Sequence, residues 1–144
     1  MEWKEALPLL QGNHTGVAIS VTPKGRAQAT VVSTAVLDGK VGFASRGYTV
    51  KLKNIQRTGR ATITVIKLDT RRYVTVEGPA SIEPWQDTPA HIKRLKELYT
   101  AMGRAPKGTD EEFAKQMRNE QRNLVLGHPR APLRQPPIRH LAGC

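Results

Sequence analysis

The pair Asp38-Gly39 constrains this chain more than any other local feature. It separates two runs rich in β-branched or apolar residues, Arg26 to Leu37 and Lys40 to Ser45. A two-residue hairpin turn of type I′ needs positive φ at both central positions, and Asp-Gly supplies it at low cost. Upstream lies another β-rich run, His14 to Val21, followed by Thr22-Pro23-Lys24-Gly25. Proline second and glycine fourth is a β-turn pattern. The beginning of the chain is therefore expected to be a three-strand antiparallel meander. Ala61 to Leu68 alternates small or polar with branched apolar residues, as a half-buried strand does. Asp69 to Arg71 turns, and Arg72 to Ile82 is a fifth strand whose Gly78-Pro79 marks a bulge or bend at a sheet edge. Five short strands with regular turn signals suggest a barrel.

Helices interrupt and follow these strands. Trp3 to Leu10 reads as a short amphipathic helix weakened by Pro8. Between Ser45 and Ala61, Thr49 is placed to cap a helix that Gly59 ends, with Leu52 and Ile55 facing the core. Lys53, Gln56 and Arg57 fall on its wet side. Asp87 or Thr88 opens a helix through Met102, with Ile92, Leu95, Leu98 and Tyr99 on one face. Asp110-Glu111-Glu112 starts another, running to about Asn119, where acid complements the helix dipole. Arg122 to Leu126 is a candidate sixth strand. Residues 1–127 form one expected domain, and 128–144, rich in proline and arginine, an extended or disordered tail.

Composition removes several functions. No window holds the ~18 apolar residues of a transmembrane helix, and the start of the chain lacks the apolar stretch of a secretory signal. The single cysteine, Cys144, cannot close an internal disulfide, which fits a reducing, cytoplasmic setting. His14, His91, His128 and His140 have no metal-ligand spacing, so no metal site is expected. No Ser-His-Asp or Cys-His constellation stands out. The net charge of +11 attracts anions. Nucleic acid is the less favoured partner, because only 5 % of residues are aromatic and the strands show no stacking platform.

The most informative segment is Gly42 to Ile55. A strand ends, a glycine-containing loop follows, and a helix opens with Thr49, Lys51 and Lys53. The first N–H groups of a helix are unpaired and carry partial positive charge. With a hydroxyl and an ammonium beside them they suit a phosphate, and Arg46 adds charge. The residues alone fit an ordinary solvated helix at least as well.

Phe43 to Ile55, F-A-S-R-G-Y-T-V-K-L-K-N-I, resembles the signature of the pyridoxamine-phosphate-oxidase-like split β-barrels, and more narrowly their flavin/deazaflavin oxidoreductase branch. Phe43, Ser45, Gly47, Thr49, Lys51, Asn54 and Ile55 fill its places. Arg72 to Ala80 is similar to the family's aromatic, β-rich, Glu-Gly-x-Ala strand, and the order of elements from Trp3 to Leu126 agrees. The departures are that Arg46 precedes Gly47, that Tyr48 is bulky where a small residue is common and a phosphate would be crowded, that Arg71 stands where some deazaflavin-binding relatives place an aromatic, and that Gly127-His128-Pro129 interrupts the last strand, which is expected to be short.

The resemblance implies a mainly β fold with α elements: an FMN-binding split barrel, a six-stranded antiparallel Greek-key barrel with flanking helices. It implies an oxidoreductase that uses reduced coenzyme F420, or FMN, to transfer hydride to a small organic acceptor. The alternative is a non-catalytic binder of a flavin, a deazaflavin or a haem-like tetrapyrrole. By position, Gln28, Thr30 and Val32 would line the ring, and Ala44 and Ser45 would approach it through backbone groups. Arg46, Thr49, Lys51 and Asn54 would hold the phosphate. Tyr73 would belong to the wall of a neighbouring subunit. No catalytic side chain is assigned, since the cofactor carries the chemistry. The implied partners are a second copy of the chain and a small-molecule substrate, with no nucleic acid and no membrane.

Overall fold

The computed structural model describes residues 1–130. The expected tail at 128–144 lies outside the described residues from 131 onward. The elements in order are α1 (Trp3–Gly12), β1 (Thr15–Val21), β2 (Ala27–Ser33), β3 (Ala35–Leu37), β4 (Lys40–Arg46), α2 (Val50–Thr58), β5 (Arg60–Lys67), β6 (Arg72–Glu83), α3 (Pro89–Ala101), α4 (Asp110–Glu120) and β7 (Arg122–Gly127). The strands form one antiparallel sheet in the order β2-β1-β5-β6-β7-β4-β3. It curls without closing, as a split β-barrel does, with four helices against it.

Both predicted turns are present. The Gly25 N–H donates to Thr22 O at 2.9 Å, and Asp38 and Gly39 have φ of 54° and 71°, the two left-handed residues of a type I′ turn. The expected meander is different. The run Arg26–Leu37 is divided at Thr34, the last residue still in register with the β1 side, whose backbone N–H donates to His14 O at 2.9 Å. In return His14 Nδ1 lies 2.9 Å from Thr34 O. The break sends β2 to pair with β1 and β3 to pair with β4, so one predicted strand becomes two and they end at opposite margins of the sheet. Gly78-Pro79 likewise does not lie at an edge. It is where β6 passes from β5, its partner through Pro79, to β7, its partner from Ala80.

The core has two parts. Leu10, Phe43, Leu52, Ile55, Ile63, Val65, Val74 and Val125 fill the barrel side. Leu95, Leu98, Phe113, Met117, Leu124 and Leu126 pack α3 and α4 against β7. Burying a side chain of this size contributes about 1.5–3 kcal/mol. Phe43 and Val125, which face each other across the β4–β7 ladder, belong to the first group. Leu124 and Leu126, the alternate residues of β7, belong to the second. Strand β7 is thus covered on both faces, which fixes its place beside β4 and the helix that follows β4. No helix among the described residues is long and apolar enough to cross a membrane.

Candidate functional site

Helix α2 forms where the sequence specifies it. Thr49 is its N-cap, and its Oγ1 accepts from Leu52 N at 3.3 Å. Gly59 ends it in the left-handed region at φ 66°, with its N–H on Ile55 O at 2.7 Å. Leu52 and Ile55 are buried, and Lys53, Gln56 and Arg57 are exposed. The Ser45 hydroxyl lies 3.0 Å from Thr49 Oγ1 and ties the end of β4 to the cap. Between them Gly47 has φ 44°, a conformation that disfavours any residue with a Cβ. Tyr48 does not crowd this corner: it is 75 % exposed and turned to water.

A cleft of about 500 Å³ opens beside the start of α2. Ala44, Ser45, Arg46, Thr49 and Lys51 line it from β4 and α2, and Val31, Val32 and Ser33 from β2. The remaining wall comes from distant parts of the chain: Tyr99 and Met102 at the end of α3, Arg104 after it, Gln116 of α4 and Arg122 of β7. Six of the residues expected at the site, Val32, Ala44, Ser45, Arg46, Thr49 and Lys51, are therefore brought together. Arg104, Arg122, Tyr99 and Met102 are not signalled by the sequence. Nothing in a lone arginine says which cavity it will face, and only the packing of α3 and β7 against the sheet puts these four there.

The other four expected residues are not in this lining. Gln28 and Thr30 share a face of β2 with Val32, and Gln28 Nε2 donates to Thr30 Oγ1 at 2.8 Å. Asn54 is buried and engaged elsewhere. Its Nδ2 donates to Ser20 Oγ at 3.1 Å, and its Oδ1 accepts from Arg57 NH1 at 3.1 Å. Its role in this fold is to seat α2 on β1. Tyr73 stands opposite Ile66 near the β5–β6 turn, away from the cleft residues of this chain.

The cleft is strongly electropositive. Arg46 NH2 is 3.1 Å from Glu120 Oε1, and Arg122 Nε is 2.7 Å from Glu120 Oε2, so one carboxylate serves two guanidiniums. Arg122 also donates to Ala44 O at 3.3 Å. Arg104 donates to a neutral partner, Ser33 Oγ, at 3.1 Å. The Lys51 ammonium makes no hydrogen bond or ion pair among the described residues. Burial and, after it, the Arg122 charge push its pKa below the usual lysine value. Burial raises the Tyr99 phenol, which the charges of Arg122, Glu120, Arg46 and Arg104 also reach. Its ring is held edge-on to Phe113, 5.8 Å between centroids.

The arrangement sets cations and an open helix start beside apolar side chains. A phosphate fits the corner of Lys51, Arg122 and the open end of α2. Val32 and Met102 lie beside it as apolar lining. A phosphorylated flavin or deazaflavin has an anionic part and an apolar one. Among the described residues no group of three or more His, Cys, Asp or Glu is placed to hold a metal.

Comparison with known proteins bears on the fold and the family. A crystal structure of a conserved hypothetical protein from Mycobacterium tuberculosis superposes with a TM-score of 0.75 at 23 % identity, over 99 % of this chain and 88 % of that one. An F420 reductase gives 0.63 at 22 % identity, over 86 % and 92 %. A pyridoxamine 5'-phosphate oxidase-related, FMN binding protein from Nostoc punctiforme gives 0.59 at 16 %, over 92 % and 86 %. These likenesses bear on the fold. No curated protein sequence matches. The sequence profile of the family described as pyridoxamine 5'-phosphate oxidase matches residues 3–130, nearly the whole chain, and includes every residue that lines the cleft. With that match and the open seven-stranded barrel behind it, this chain belongs to the pyridoxamine 5'-phosphate oxidase family.

Proposed function

We propose that this protein is an oxidoreductase that binds reduced coenzyme F420, or FMN, in the α2 cleft and directs hydride transfer to a small organic acceptor. The observation that carries the reading is the excess of cations around one capped helix start. Lys51, Arg46, Arg104 and Arg122 line the cleft, and Glu120 is the carboxylate paired with two of them. The likeness to an F420 reductase and to an FMN binding protein supports a redox ring as the ligand. The deazaflavin is preferred because its acidic tail carries more negative charge than FMN, and the cleft has cations beyond those one phosphate needs.

When bound, the ring supplies the hydride chemistry. The chain's own residues bind, orient and exclude water. Lys51 and Arg122 hold the phosphate, with the first N–H groups of α2. The Thr49 hydroxyl caps the helix, and Ser45 keeps Thr49 in place. Val32 and Met102 form a dry wall against the ring, and Ala44 and Ser45 approach it from β4.

The protein is further proposed to act as a homodimer in the cytoplasm. Val31 on the outermost strand β2 is 72 % exposed, and Val50 is 56 % exposed beside the cleft. Exposed apolar residues along an unpaired strand favour association, and an isologous pair is the commonest solution. Titration of the purified protein with F420, FMN and riboflavin, followed by absorbance, tests the reading. Micromolar or tighter binding of F420 or FMN with weaker riboflavin binding is expected. Equal, weak binding of all three would refute it.

A further inference from the structure

The corner that faces the anion is held from behind by a residue outside the cleft. Asn123 is 7 % exposed, and its whole carboxamide is engaged. Its Nδ2 donates to Gly47 O at 2.8 Å and to Ser45 O at 3.2 Å, and its Oδ1 accepts from Trp85 N at 3.0 Å. Two residues earlier in the same junction, Gln121 takes the left-handed C-cap of α4 at φ 47°, and its carbonyl accepts from Gly47 N at 3.2 Å. Both polar groups of Gly47 are thus tied to the α4–β7 junction.

The direction of these bonds matters. In a trans peptide the C=O and the following N–H point in opposite directions. With Gly47 O drawn onto Asn123, the Tyr48 N–H is turned away from it. That N–H makes no hydrogen bond among the described residues, and it immediately precedes the Thr49 cap. The two-donor amide also draws the Ser45 and Gly47 carbonyl oxygens onto Asn123, which is not among the residues lining the cleft.

We propose that Asn123 is the positioning residue of the anion site, aiming the Tyr48 amide and the first turn of α2 at the phosphate of the ligand. This rests on the reading of the cleft given above. Loss of the clamp should therefore weaken recognition of the phosphate and leave the ring unaffected.

The test uses FMN and riboflavin, which share a ring and differ by the phosphate, with the full-length protein. Asn123→Leu keeps the approximate volume but offers neither the donors for the two carbonyls nor the acceptor for Trp85 N. Asn123→Ala removes all three bonds. Each should weaken FMN binding by about tenfold or more, the loss of two buried hydrogen bonds, with riboflavin affinity unchanged. Parallel losses for both ligands, or no loss for either, would overturn the proposal. Wild-type protein without any preference for FMN over riboflavin removes the anion site itself, and the proposal with it. Amide exchange of the wild type gives a readout independent of the variants' folding. Tyr48 N–H exchange should slow on adding FMN and not on adding riboflavin, and unchanged exchange would also overturn the assignment.

Discussion

Lys51 of α2 and Arg122 of β7 are like charges lining one cleft, and the carboxylate beside them, Glu120, is held at 2.7 Å by the arginine. Burial and the nearby guanidinium together lower the lysine's pKa. A fold that gathers cations in this way is under electrostatic tension that a bound anion relieves.

Lys51→Ala should weaken FMN or F420 binding by ~1.5–3 kcal/mol, the range for a charge-assisted hydrogen bond. Riboflavin affinity should barely change. Isothermal titration with FMN and riboflavin checks this, and an equal effect on both would mean that Lys51 does not meet the phosphate.

The same lysine should cost stability when no ligand is present. Below its lowered folded-state pKa the ammonium is charged in both folded and unfolded chains, and the penalty is constant. Between that value and 10.5 the folded chain releases its proton first, so stability rises with pH until the penalty has gone. Lys51→Met keeps the stem and removes the charge. At neutral pH it should raise the ligand-free melting temperature by roughly 1–4 °C, and the gap to wild type should narrow as pH rises towards 10.5. Thermal unfolding across pH 7–10 decides the matter, and a gap that widens with pH contradicts the assignment.

Arg94 of α3 holds Glu83 of β6 through two bonds, Nε to Oε1 at 3.0 Å and NH2 to Oε2 at 2.9 Å, and also reaches Asp38 and Glu97. The Arg94 hydrogen bonds hold the Glu83 carboxyl below its usual 4.5, against a smaller opposing effect of burial. Both side chains are partly exposed, so solvent screening limits the network to about 1 kcal/mol. Arg94→Ala should destabilise by that amount at pH 7. A carboxylate with a depressed pKa contributes fully above 4.5, and its contribution disappears as pH falls through the folded value. The difference between variant and wild type in urea unfolding should therefore shrink below pH 4.5. A constant difference would assign the effect to packing of the arginine stem.

In solution the protein should sediment at twice its 15.9 kDa chain mass. Val31→Glu puts a charge on the exposed margin of β2 and should shift the equilibrium towards the single chain by about tenfold or more, given the cost of burying an unpaired carboxylate. Analytical ultracentrifugation at micromolar concentration checks both statements. A wild-type protein found only as one chain would remove the dimer.

Much of this fold was legible as local chemistry. The turns at Thr22–Gly25 and Asp38-Gly39, the capped helix between Thr49 and Gly59, and the apolar spacing of Leu52 and Ile55 are all realised. So are the acidic start of α4 and strand β7. Less legible was the fate of Arg26–Leu37. Its β propensity is continuous, but the stretch up to Thr34 pairs with β1 and the stretch from Ala35 pairs with β4, and that change of partner divides it. Asn54 shows the same limit at the site. A polar side chain on the helix proposed to face the phosphate looks available in sequence, yet Ser20 and Arg57 occupy it.

What the sequence determined by itself was therefore the helices and every strand except the division of β2 from β3, their turns and caps, and the lysine-bearing start of α2. Those features depend on residues within a few positions of one another, whose φ preferences and side-chain reach act before any core exists. Only the tertiary structure decided that β2 and β3 part to opposite margins, and that Arg104, Arg122, Tyr99 and Met102 complete the cleft while Asn123 braces it from behind. Those outcomes depend on how α3, α4 and β7 pack against strands formed far earlier in the chain. Burial of Leu95, Leu98, Met117 and Leu124 fixes that packing, and no local pattern around an arginine or an asparagine encodes it.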